Sequence, residues 1–196
     1  MRADTDHLSI ARMRRHLDTE MVGYHVYLFG TVAAARAAAR RLAAHGAEEG
    51  TVVLAEDEAS GAVHASVLFR PALAPRQVAL FAPIAALAAA EAIEAEGVGT
   101  AIRWPNDVVV DGRALAATVV ECESAADRVT HVILGVDADL DAAGTAVDRN
   151  AFVARFLTRL EQWHRVFTTQ GPEAVLAARR THGAHRGRSL AAQEVE

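Results

Sequence analysis

Between residues 102 and 137, four β-forming segments follow one another with only turns between them: 102–104, 108–110, 114–123 and 129–137. Asp111-Gly112 supplies a hairpin turn inside that run. Long helical stretches lie outside it. Residues 32–45 are nearly all Ala, Arg and Leu, with Gly46 where a helix cap is expected, and residues 77–96 are apolar and Ala-rich, closed by Gly97. A further helix, capped by Asp148 or Asn150, runs to about residue 169 before Gly171-Pro172 breaks it, and a last helix covers 173–181. Strands grouped by turns and helices grouped around them predict an α+β fold, a mixed β-sheet flanked by helices.

The remaining segments fit that reading. Leu8, Ile10, Met13 and Leu17 stand at helical spacing, so a short helix is expected over 8–17. Residues 24–29 and 50–55 are rich in β-formers. In 63–69, Val63, Ala65, Val67 and Phe69 alternate with His64, Ser66 and Leu68, which predicts a strand with one dry face. No repeat or linker interrupts residues 1–181, which are taken as one domain; residues 182–196 are polar and expected to form a flexible tail.

Charge and composition exclude several functions. A formal net charge of −5 and a pI near 6.0 leave no broad cationic face for phosphates, so DNA is not an expected partner. The apolar stretches are Ala-rich and interrupted by Arg, Asp or Glu, no signal peptide is evident at Met1, and no membrane partner is expected. One cysteine, Cys122, rules out a disulfide framework or a thiolate metal cluster and suits a cytoplasmic location; it is expected to be a buried, inert thiol. The His182–Arg188 string lacks acidic or Cys partners, and Gly135 to Asp141 lacks the closing Glu of a calcium loop, so no metal site is predicted. All 20 basic residues are arginine. Mechanisms that need a lysine Schiff base or a P-loop lysine are therefore closed to this chain.

The most distinctive string is Arg103-Trp104-Pro105-Asn106-Asp107. Pro105 cannot donate to a strand ladder, so the strand stops there and Asn106 and Asp107 stand at a corner, free to bind a ligand or their own backbone. The run from Ile102 to Ala116, through Asp111-Gly112-Arg113, resembles the central signature of biotin protein ligases, in which Lys-Trp-Pro-Asn-Asp precedes an apolar strand, a Gly turn and Lys-Leu-Ala-Gly. The likeness extends to residues 8–29, to residues 40–56, to Ser66-Val67-Leu68-Phe69-Arg70-Pro71 and to the late helix with its Trp at 152–171.

That resemblance implies the fold of the biotin/lipoate ligase superfamily. It also implies an activity, the joining of biotin to ATP with magnesium and transfer of the acyl group to a carrier-protein lysine. The residues depart from it at several points. The family's Gly-Arg-Gly-Arg loop after the second strand is replaced by Glu56-Asp57-Glu58-Ala59-Ser60-Gly61. Its Ser-Thr-Asn falls on Ala34-Ala35-Arg36, its Lys after the turn on Ala114, the following Gly on Ala117, and its Gly-Ile-Asn on Asp137-Ala138-Asp139. Asp57, Glu58, Asp137 and Asp139 should then add negative charge where two anions must meet.

Asp107 and Arg103 remain as candidate catalytic residues. Asn106, Trp104, Arg113, His64, Ser66 and Arg36 are candidates for binding a ligand. The expected function is that of a diverged ligase-like protein with its adenylating apparatus lost or replaced, binding a small carboxylate or acyl ligand or a protein partner, or carrying out altered acyl chemistry. Two alternatives stay open. One is an active minimal ligase that uses biotin, ATP and a carrier protein; the other is a structural subunit that assembles as a homodimer. The helix-turn-helix extension and the closing β-barrel of the family are both expected to be missing.

Overall fold

Strands β1 (Val26–Phe29), β2 (Val52–Glu56), β3 (Val63–Phe69), β4 (Ala101–Arg103), β5 (Asp107–Val110), β6 (Arg113–Ala125) and β7 (Arg128–Ala138) join into one sheet in the order β1-β2-β3-β7-β6-β5-β4. β1 and β2 are parallel and every other neighbouring pair is antiparallel, so the sheet is mixed, as predicted. The computed structural model describes residues 7–57, 62–103, 106–143 and 147–184. The tail beyond Ala184, Glu58 and Trp104 lie outside them.

Helix α2 (Val32–Ala44) makes the crossover between the two parallel strands. Thr31 caps its start by accepting from Ala34 N–H, and Gly46, at φ +81°, lets Ala47 N–H reach back to Leu42 O and close its end. The helix lies on one face of the sheet, where Ala35, Ala38, Ala39 and Ala43 pack on Val53, Ala55, Leu68 and Ile133. The larger core fills the opposite face, under α3 (Ala82–Glu94) and α4 (Arg149–Gln170), with α1 (Ile10–Arg14) and α5 (Pro172–Ala184) at its margins.

Four expectations change. β3 is buried along its whole length rather than on one face, because α2 covers the side that carries His64, Ser66 and Leu68. The helix expected over 77–96 divides into a 3₁₀ turn, Pro75–Phe81, followed by α3, since Pro83 has no N–H to continue the ladder backwards. By length and composition Pro75–Glu94 would suffice to cross a bilayer; here it is mostly buried in the protein core. Helix α5 continues past residue 181 to Ala184. Cys122 is exposed, because the outer half of β6 extends beyond the cover of the helices.

The Asp111-Gly112 turn forms as predicted, with φ +48° and +79° at the two positions, the left-handed pair that a tight hairpin requires. Asp148, rather than Asn150, caps α4, accepting from Asn150 N–H at 2.8 Å and Ala151 N–H at 3.0 Å. Asn150 instead accepts from Ser9 N–H at 2.7 Å and holds the N-terminal segment against α4.

Candidate functional site

Strand register sets the site. His64 pairs with Asp137, Asp137 with Ala117, Ala117 with Asp107 and Asp107 with Arg103, so five residues from five neighbouring strands form one row across the sheet. Directly paired residues project to the same face, and His64 shares its face with Leu68, which packs under α2. Ala117 is exposed between the two acids. Strand spacing puts the Asp137 and Asp107 backbones about 10 Å apart across it.

At the α2 end of the row, four side chains form a chain of contacts. Ser66 Oγ lies 2.5 Å from His64 Nε2, and His64 Nδ1 lies 2.6 Å from Asp137 Oδ1. The other carboxylate oxygen of Asp137 accepts from Arg36 Nη2. A carboxylate accepts from Nδ1–H, which leaves Nε2 to accept from the Ser66 hydroxyl. His64 and Ser66 are fully buried, at 0% and 2% exposure, whereas Asp137 and Arg36 reach the margin of α2. Burial pushes the Asp137 carboxyl up, but the His64 contact and then the Arg36 charge outweigh it and hold the group below its ordinary value.

The sheet side of α2 has a second tie to β6. Arg40 donates to both oxygens of Glu121, at 2.6 and 2.9 Å. That hydrogen bond, with the Arg40 charge, lowers the Glu121 carboxyl against the effect of burial and raises the Arg40 guanidinium. Between helix and sheet, Ser66 lines a recess with Ala39, Leu42, Thr51, Val53, Leu68 and Ile133. Its volume, about 10 Å³, is near that of a single water.

Arg103 and Asp107 close the far end of the row as an ion pair, with Nη2 3.1 Å from Oδ2. Asn106 is partly buried, and its carbonyl lies 3.4 Å from the Thr118 hydroxyl that donates to it. Arg113 is exposed at the turn end of the β5–β6 hairpin. The predicted site residues therefore fall into two groups, Arg36, His64 and Ser66 at one end and Arg103, Asn106 and Asp107 at the other. Trp104 is outside the described residues. Among the described residues, no three His, Cys, Asp or Glu side chains converge as a metal site would require.

Asp137 is the residue whose part was missed. It was read as one more repelling acid, but it is matched by Arg36 and His64 and forms the centre of the cluster. The His64-x-Ser66 spacing does put both side chains on one face of a strand, a signal that sequence offers. The third member comes from a strand 73 residues away.

Comparison with known proteins agrees with the architecture. Residues 44–139 match the model of the biotin/lipoate A/B protein ligase family. The bifunctional ligase/repressor BirA of Bacillus subtilis is 27% identical over 198 aligned positions, covering 84% of this chain. The chain spans 61% of that relative's length. Among solved structures, a biotin protein ligase-like protein of unknown function from Silicibacter superposes with a TM-score of 0.69 at 13% identity, covering 81% of this chain and 77% of that one. The biotin protein ligase of Aquifex aeolicus gives 0.61 at 17% identity, covering 79% and 75%. With a seven-stranded mixed sheet and these relatives, the chain carries a catalytic core of the biotin/lipoate ligase type, matched by the family model over residues 44–139.

Proposed function

We propose that this chain is a family member in which nucleotide-dependent acyl activation has been replaced, and that its sheet face binds a small carboxylate or acyl compound without ATP. The observation that supports this most directly is the row itself. Arg36 and Arg103, the cations that stand on or beside it, are each closed on an acid, Asp137 and Asp107. Bringing a carboxylate and a triphosphate together needs preorganised cations and donors aimed at the developing charge. Losing one such donor costs about 3 kcal/mol, or a hundredfold.

Biotin and an adenylate do not fit the residues present. β2 ends at Glu56 and β3 begins at Val63, and the connecting residues 57–62 contain no arginine. The recess beside Ser66 has room for about one water. A ligand on the open part of the face, above Ala117, would meet Arg103 and Asp107. A carrier protein is a partner of the same chemistry, presenting an acyl group on its surface.

Isothermal calorimetry with biotin, lipoate and ATP, run beside a pyrophosphate-release assay, tests the reading. Pyrophosphate release should stay at the buffer rate with either acid, and ATP should give no heat. Biotinyl- or lipoyl-adenylate formed over many turnovers would overturn it, and loss of that turnover in Arg103→Ala and Asp107→Ala would establish a minimal ligase instead.

A further inference from the structure

The Ser66–His64–Asp137 contacts have the order and polarity of a nucleophile, a general base and an orienting carboxylate. The base is within hydrogen-bond reach of the hydroxyl, and the third group fixes the tautomer that leaves Nε2 unprotonated. We propose that Ser66 is an acyl-accepting nucleophile whose substrate is an activated acyl compound, a thioester or an ester with a good leaving group. This goes beyond the loss of adenylation and requires no nucleotide. Ser66 Oγ attacks the acyl carbon while its proton passes to His64 Nε2. The carbon–leaving-group bond breaks, and the departing thiol or alcohol takes that proton. Water then attacks the acyl-serine, giving one proton to His64 and releasing the carboxylic acid, and the proton returns to Ser66.

Two structural features set how this site works. The recess at Ser66 admits no acyl group as it stands, so α2 must lift, and Arg36–Asp137 and Arg40–Glu121 are the ion pairs that hold it to the sheet. The buried residues that α2 itself contributes are alanines, Ala35, Ala38, Ala39 and Ala43, whose methyl groups lose less on separation than larger side chains would. Ser66 also lies in a strand paired on both sides, so its backbone is committed to the sheet rather than to a developing oxyanion. Missing such a donor slows the chemistry about a hundredfold, and stoichiometric modification with slow release is the expected signature.

The test uses the full chain and a fluorophosphonate, with p-nitrophenyl acetate as the acyl donor. Intact mass should show one phosphonate added, peptide mapping should place it on Ser66, and Ser66→Ala should remove it. His64→Gln should slow labelling at least about a hundredfold, the scale of general-base assistance. Arg40→Ala, which frees one tie of α2 without touching the three residues, should speed labelling several-fold. An unlabelled Ser66 in the folded parent overturns the proposal, and so does labelling that His64→Gln leaves unchanged. The parent's own labelling decides the matter even if a variant fails to fold.

Discussion

Arg36 on α2 and Asp137 on β7 are 101 residues apart in sequence and are joined side chain to side chain, with the second oxygen of Asp137 holding the ring of buried His64. Removing the acid therefore does more than open an ion pair. Asp137→Ala leaves the His64 Nδ1–H buried with no acceptor and should cost about 1–3 kcal/mol in a urea titration. Arg36→Ala leaves the partly exposed acid free to meet water and should cost less, about 1 kcal/mol or below. Equal losses from the two variants would mean that His64 does not depend on Asp137.

Gly135 faces Ser66 in the register of β3 and β7. A Cβ there would overlap the Ala65 carbonyl oxygen and come within 3.0 Å of Ser66 Cα, both backbone atoms in a central strand. Gly135→Ala must push β3 and β7 apart, and should destabilise by 3 kcal/mol or more on the scale of severe core overpacking. Gly112→Ala, on an exposed hairpin, strains only its own backbone and should cost about 1 kcal/mol. Thermal melts of the two variants, compared with the parent, check the ordering.

Much of this frame was legible from residue patterns. The Asp111-Gly112 turn, the Asp148 cap and the Gly46 stop are local chemistry, and each stands where its short-range rule places it. The 3₁₀ turn before α3 escaped because Ala-rich periodicity masked what Pro83 forbids. Both-sided burial of β3 and the exposure of Cys122 depend on where distant helices end, which no window of sequence contains. The site divides the same way. His64 and Ser66 were visible as neighbours on one strand face, whereas the part of Asp137 depends on β7 lying between β3 and β6.

Glu161, nine-tenths buried on α4, offers another case of a long-range contact with a measurable consequence. Its two carboxylate oxygens accept from the backbone N–H groups of Glu20, Met21 and Val22, at 2.8, 3.0 and 2.7 Å. No secondary structure serves those three donors, so the carboxylate stands in for a ladder. Glu161→Ala should cost roughly 3 kcal/mol and loosen the segment between α1 and β1. Glu161→Gln keeps one accepting oxygen and should recover part of the loss. Hydrogen exchange at residues 20–22 reads the effect directly, with faster exchange expected in the Ala variant alone or most strongly there.

Stability should fall on the acid side in two separate steps. The His164 ring packs 4.4 Å from that of Phe69 and 6.0 Å from that of Phe81, and burial pushes its pKa below 6.5 against weaker upward pulls from Glu49 and Glu161. Burial lowers His131 as well, with Glu123 opposing and Arg70 adding to the effect. Both rings are harder to protonate in the folded chain and regain an ordinary pKa when it unfolds. Below about pH 6.5 the unfolded state therefore binds more protons, and stability declines as pH falls toward the folded values. Asp137 and Glu121 shift the same way from ordinary values of about 3.8 and 4.5, so their contribution is present above those values and is lost at still lower pH. A loss of 1 kcal/mol corresponds to roughly 2–4 °C in Tm for a chain of this size. Melts between pH 7.5 and 5 should show the upper step, and His164→Leu should flatten most of it while leaving the fall below pH 4.5 in place. An upper step of unchanged size in that variant would assign it to His131 or to another group.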